Sequence, residues 1–207
     1  LFDQTVLEAA IVHKTSEGFA VNSWRQKRSV MRRYNLTIQM YDDRYRQEQE
    51  AKYHAALQDL TLQSDSWFLD VGCGSGLFFR YVAGFAKEVV GVDISRQLLL
   101  QAQQRAKPYG NVAVVLADAD HLPFKADVFG FVFAFTVLQN MPKPVNTLKH
   151  LQSVAAKGAC YVVTGLKGAM SLEVFGGFLE AAGLTAVGLR DDDVLRCHVV
   201  RCVQRSV

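Results

Sequence analysis

The sequence predicts an α/β protein: a doubly wound, mostly parallel sheet of seven strands that closes on a C-terminal antiparallel hairpin strand, preceded by N-terminal helices. Three observations carry this. From residue 67 onward, apolar runs of strand length alternate with segments of helical period. The run over residues 67–71 passes straight into Gly72-Cys73-Gly74-Ser75-Gly76, a turn that only glycine-rich chain can make so tightly. The last two runs, 184–189 and 195–203, flank Arg190-Asp191-Asp192-Asp193, so they form a hairpin where strict alternation would place another crossover helix.

Taken in order, Asp3 caps a helix whose Val6, Leu7, Ala10 and Ile11 share one face, ending near Gly18. Residues 24–33 then hold Arg25, Lys27, Arg28, Arg32 and Arg33 with no acid among them. On a helix Arg25, Arg28 and Arg32 share one side, with Trp24 and Met31 nearby; this either tracks a phosphate backbone or is a solvated face. Tyr41, Tyr45, Gln49 and Tyr53 recur every fourth residue, which puts polar-tipped aromatics on one helix face. After the strand at 67–71 a helix is expected over 77–87. A second apolar strand ends at Asp93, and Ser95 is placed to cap a helix over 96–107. A third strand spans 112–117. The near-continuous apolar run from Phe131 fits a fourth, central strand covered on both faces. Pro144 suits the first turn of a helix reaching about residue 157, stopped by Gly158. A fifth strand at 160–164 and a helix over 171–182, ended by Gly183, lead into the hairpin.

The glycine turn implies a ligand lying close over the backbone. A dinucleotide would want Gly-x-Gly-x-x-Gly, whose third glycine falls on Leu77. Asp70, just ahead of the turn, would repel a pyrophosphate and attract a cation, so the ligand carries positive charge there. Asp93, at the carboxyl end of the next strand, can accept both hydroxyls of a ribose. This set, continued by Asp118-Ala119-Asp120-His121-Leu122-Pro123-Phe124, resembles the class I S-adenosylmethionine (SAM)-dependent methyltransferases, in their UbiE-like or methyltransferase type 11 group, with some likeness to tRNA methyltransferases. The resemblance spans residues 34–203 and implies a Rossmann-like sheet, SAM as cofactor and methyl transfer as activity.

Carried over residue by residue, the resemblance assigns Gly72, Cys73, Gly74, Gly76 and Ile94 to the cofactor site beside Asp70 and Asp93. Asp118 would take the adenine amino group and the Ala119 backbone the ring. Tyr41 or Tyr45 would line the methionine end, and Phe135, with Thr136, Gln139 and Asn140, would face the methyl acceptor. Many relatives place a His near Gln139 and an Asp at Gly130, so no acid/base role is carried over. Residues 1–61 read as a helical segment covering the cofactor and acceptor site, and 62–207 as the methyltransferase core, within one structural domain.

Composition narrows the rest. Half of the 207 residues are hydrophobic and 21% are charged, which suits one domain with a sizeable core. A net charge of +3 is too small to identify a nucleic-acid binder. The four cysteines form no CxxC pair, which points to no metal site and to a reducing, cytoplasmic setting. The longest apolar run, over 128–138, falls short of the roughly 20 residues a membrane span needs. Leu1 rather than Met opens the chain, so a preceding segment is expected. Asp191 to Asp193 read as solvated turn acids, His121 as structural or adenine-side, and His150 and His198 as lacking ligand-spaced partners.

There is no Asn/Asp-Pro-Pro-Tyr/Phe sequence to hold an exocyclic amine and no Pro-Cys nucleophile, which argues against amino-methylation of A or C and against 5-methylcytosine formation. The expected function is SAM-dependent methylation of RNA, favoured slightly by the basic stretch. The alternatives are a UbiE-like small-molecule methyltransferase, or a SAM-binding subunit needing a partner such as a small zinc-binding activator.

Overall fold

A computed structural model of the protein describes residues 16–205, with side chains described for 23–35 and 47–205. The expected helix over Asp3 to Ile11, and the side chains of Tyr41 and Tyr45, lie outside the described residues. A single helix, α1 (Ser16–Leu57), runs through Gly18, where a stop was expected. It contains no proline, and Gly18 is its only glycine, so no local breaker outweighs its Arg, Gln, Glu and Ala content.

Strands β1 (Trp67–Val71), β2 (Glu88–Asp93), β3 (Val112–Leu116), β4 (Phe129–Ala134), β5 (Ala155–Leu166), β6 (Leu184–Arg190) and β7 (Cys197–Gln204) form one sheet in the order β3-β2-β1-β4-β5-β7-β6. The first five are parallel, and β7 runs antiparallel between β5 and β6. This is the doubly wound sheet and terminal hairpin that the sequence predicts. Between the strands stand α2 (Phe79–Val82), α3 (Arg96–Ala106), α4 (Pro144–Val154) and α5 (Leu172–Ala181).

The strand period of two divides the core. Leu69, Val71, Val132 and Ala134 face a layer with Leu148 and Leu151 of α4 and Phe175 and Leu179 of α5. Phe68, Phe131, Phe133 and Phe135 face the other layer, with Phe78, Phe79, Leu99 and Ala102. Into this second layer Tyr53 of α1 inserts its ring, 4.9 Å from both Phe78 and Phe135 between centroids. Such aromatic pairs add about 0.5–1.5 kcal/mol each beyond buried area, and they fasten the carboxyl half of α1 to the sheet.

Two local expectations fail for physical reasons. The helix expected over 77–87 is a single α turn followed by a 3₁₀ turn, Ala83–Phe85. Its aromatic and β-branched residues and Gly84 are weak helix formers, and packing of Phe78 and Phe79 decides the path. The helix from Pro144 ends at Val154, because Ala155 turns extended and pairs with Phe129. Gly158, expected to stop that helix, instead takes φ +76° where β5 shifts register against β4. Ser95 caps α3 as expected, its Oγ accepting from the Leu98 N–H at 3.2 Å, and Ser171 caps α5, its Oγ accepting from the Val174 N–H at 3.3 Å.

Candidate active site

At the carboxyl ends of β1, β2, β3 and β4 lies a cavity of about 1090 Å³, counting its open mouth. Such crevices are where open α/β sheets bind ligands. Asp70, Gly72, Cys73 and Gly74 line it, with Asp93 and Ile94, Asp118 and Ala119, and Phe135, Thr136 and Asn140. Gly76 and Gln139 do not: Gly76 packs under Phe79, and Gln139 Nε2 bonds the Thr136 carbonyl at 2.7 Å. One helix, α1, supplies the opposite wall with Lys27, Val30, Met31, Tyr34, Gln49 and Tyr53.

The carboxylates differ in what they have been given. Asp93 Oδ2 accepts from the Gly74 N–H at 3.0 Å and Oδ1 from the Ser95 N–H at 2.7 Å, which leaves each oxygen a further lone pair for a hydroxyl. Burial raises its pKa, and those N–H bonds oppose the rise. Asp70 is 2% exposed, and its Oδ2 is buried with no hydrogen-bond partner. Burial first, and the negative charge of Asp93 second, push its carboxyl well above the usual range. Burial likewise pushes the Cys73 thiol up, so it is a neutral wall rather than a nucleophile.

Asp118 is already engaged. Lys27 Nζ lies 2.7 Å from both its oxygens and 2.5 Å from Asp120 Oδ2, while Asp120 Oδ1 accepts from the Thr147 hydroxyl at 2.6 Å. This corrects the reading of the basic stretch: Lys27 is buried and turned inward, and only Arg25, Arg28, Arg32 and Arg33 remain at the surface. The sequence did hold the signal, since Lys27, Val30, Met31 and Tyr34 fall at i, i+3, i+4 and i+7, one face of a helix.

The acceptor-side wall is strained. Thr136 adopts φ +59°, a left-handed conformation rare for a β-branched residue. Its N–H donates to Thr164 Oγ1 at 2.8 Å, and its carbonyl accepts from Gln139 and, at 3.1 Å, from Asn140 Nδ2. Lys52, to which sequence reasoning gave no role, donates to Thr136 Oγ1 at 3.0 Å. Elsewhere, His121 is exposed and stands 5.9 Å from the His150 ring, away from the cavity. His198 Nδ1 lies 2.7 Å from Asp191 Oδ1, and Asp191 also pairs with Lys167 at 3.0 Å, so Asp191, contrary to expectation, is not a free turn acid.

The strand order, with its reversed β7 and a cavity over the ends of β1 to β4, is the class I SAM-dependent methyltransferase architecture. Residues 69–163 match the family described as Methyltransferase domain (Methyltransf_11). A demethylmenaquinone methyltransferase of Staphylococcus saprophyticus is 32% identical over 109 residues, covering 51% of this chain and 47% of the relative. The chain thus spans about half the length of the curated relatives it matches. A SAM-dependent methyltransferase from Aquifex aeolicus superposes with a TM-score of 0.66 at 19% identity, over 73% of this chain and 88% of that one. A Haloferax volcanii structure, a complex of the Trm112 methyltransferase activator with a methyltransferase, matches with a TM-score of 0.67 at 13% identity, over 81% and 93%.

The residues present fit SAM: the unpartnered Asp70 oxygen suits a cation, and the two carboxylate oxygens of Asp93 suit a ribose. Asp93→Ala is expected to weaken S-adenosylhomocysteine binding by about 1.5–3 kcal/mol, the worth of hydrogen bonds to a charged group. Titration calorimetry checks this, and an unchanged dissociation constant would place the ribose elsewhere.

Proposed function

We propose that this chain is a SAM-dependent methyltransferase acting on a small-molecule acceptor. The observation that carries the cofactor half is the buried Asp70 carboxylate, with one oxygen unpartnered, in the same cavity as Asp93. SAM, when bound, supplies a methyl group on an already activated sulfonium.

The chain's own part is to bind and align. Asp70 would hold the ammonium of the cofactor, Asp93 its ribose, and the Asp118 and Ala119 segment its base. Tyr53, Phe135 and Met141 make the cavity beyond them largely apolar, which excludes water and suits a compact organic acceptor. Alignment of this kind is worth about 7–11 kcal/mol, enough to carry methyl transfer without a strong base. No histidine is among the lining residues.

The small-molecule acceptor replaces RNA as the leading reading. Inward-facing Lys27 shrinks the basic face, and the demethylmenaquinone methyltransferase relatives are named for a small organic acceptor. The structure with Trm112 is too distant in sequence to carry more than fold, so a partner subunit enters as one arm of the assay.

The purified chain is expected to bind SAM and S-adenosylhomocysteine, with NAD and ATP far weaker. With labelled SAM it should methylate metabolite extracts and leave bulk tRNA and rRNA unlabelled, with or without added activator. Tighter binding of NAD would sink the cofactor assignment; label in RNA alone would restore the RNA acceptor.

A further inference from the structure

Lys52 is 1% exposed, and among the described residues no carboxylate lies within ion-pair distance of it. Its ammonium donates to Thr136 Oγ1 at 3.0 Å and to Gln49 Oε1 at 3.3 Å, and it lies within electrostatic reach of Cys197. A buried charge left without a counter-charge is costly, so a fold that keeps one implies something that compensates it.

Lysine has three donors and no acceptor, and that fixes the polarity of its neighbours. Gln49 must turn its carbonyl oxygen toward Nζ, which leaves its NH₂ to face elsewhere. Thr136 must accept from Nζ, which leaves its hydroxyl hydrogen to be donated. Both residues line the cavity, and neither of these donors has an acceptor among the described residues. Two donors polarised by a buried cation therefore border the space beyond the glycine turn. The strained left-handed backbone of Thr136, pinned through Thr164, Gln139 and Asn140, holds the hydroxyl in place.

We propose that Lys52 is a positioning and specificity-determining residue that makes Gln49 and Thr136 a paired donor site for an anionic oxygen of the methyl acceptor. The acceptor class is then an ionised oxygen compound: a phenolate, an enolate or a carboxylate. This rests on the methyltransferase reading and goes past it to the charge of the acceptor. An acceptor that arrives ionised needs no proton removed. The opposing charges are Asp70 and Asp93, which the cofactor covers, and Glu48, which lies one helical turn from Lys52 and within electrostatic reach of Cys197 and pairs with Arg196 at 3.8 Å.

The test uses 4-nitrophenol as probe, its neutral methyl ether 4-nitroanisole as twin, and saturating S-adenosylhomocysteine, whose own binding is measured first by calorimetry. Absent S-adenosylhomocysteine binding would sink the methyltransferase reading. Given that binding, the wild type is expected to prefer the phenolate over the ether by at least about tenfold, with the bound phenol titrating about one pH unit below the free one, the equivalent shift. Lys52→Met should abolish both the preference and the absorbance shift while S-adenosylhomocysteine affinity holds. If Lys52→Met does not fold, Gln49→Glu, which gives Lys52 a counter-charge and puts an anion in the wall, should abolish them instead. A wild type with no preference for the phenolate, whether it binds both probes or neither, overturns the proposal. So does a folded variant that keeps the shift.

Discussion

Asp70→Asn is expected to bind S-adenosylhomocysteine about a hundredfold more weakly than the wild type at neutral pH, while the ligand-free protein stays at least as stable. Removing one member of a buried charge pair costs about 3–5 kcal/mol, and the open mouth of the cavity favours the lower end. Without ligand the same carboxylate is a burden, because burial and Asp93 both oppose its ionisation. Its folded pKa is raised above the unfolded value, so the folded state holds the proton to higher pH. The stability this contributes is fully present below the unfolded carboxyl pKa and is lost as pH rises through the folded one. A cationic ligand reverses the preference, so affinity should climb over that same interval and binding should release a proton. Calorimetry in buffers of different ionisation heat reads the proton directly. Since Asp70 and Asp93 interact, the midpoint belongs to the pair. Asp70→Asn should flatten the profile; a wild-type affinity independent of pH would mean that Asp70 meets no cation.

How much of this was legible in the sequence depends on how far apart the partners are. Asp70, Asp93 and Asp118 were readable because each sits at or just beyond a strand end, and a parallel sheet brings successive carboxyl ends to one edge whatever the side-chain detail. The long-range polar contacts that finish the site were not. Lys27 meets Asp118 across 91 residues of sequence and Lys52 meets Thr136 across 84, and no local pattern specifies such a pairing. Both lysines sit among charged or polar neighbours that look solvated in one dimension. Gly158 failed for another reason: a helix stop and a strand irregularity both need φ > 0, so one glycine serves either. The partner strand β4 decides between them, and it too is distant in sequence.

Gly76→Ala is expected to destabilise the fold by about 2–5 kcal/mol, whereas Gly74→Ala, two residues earlier in the same turn, should cost only about 1–2 kcal/mol; both pay for a left-handed residue, and Gly76 adds overpacking. Both glycines have positive φ, +80° and +55°. A Cβ on Gly76 would stand 2.5 Å from Phe79 Cε2 and 3.1 Å from the Ala102 backbone Cα. Phe79 cannot yield, because its ring is wholly buried and its other edge fills the space over Gly91, where a Cβ would come within 2.6 Å. A Cβ on Gly74 meets no protein atom within 4 Å, and Gly74 lines the cavity. The two substitutions should therefore separate what the turn does for the fold from what it does for the ligand. Urea midpoints should fall sharply for Gly76→Ala and slightly for Gly74→Ala, while S-adenosylhomocysteine affinity in the folded protein should fall for Gly74→Ala. Equal urea midpoints would refute the packing argument, and an unimpaired affinity in Gly74→Ala would mean that the ligand does not lie over this turn.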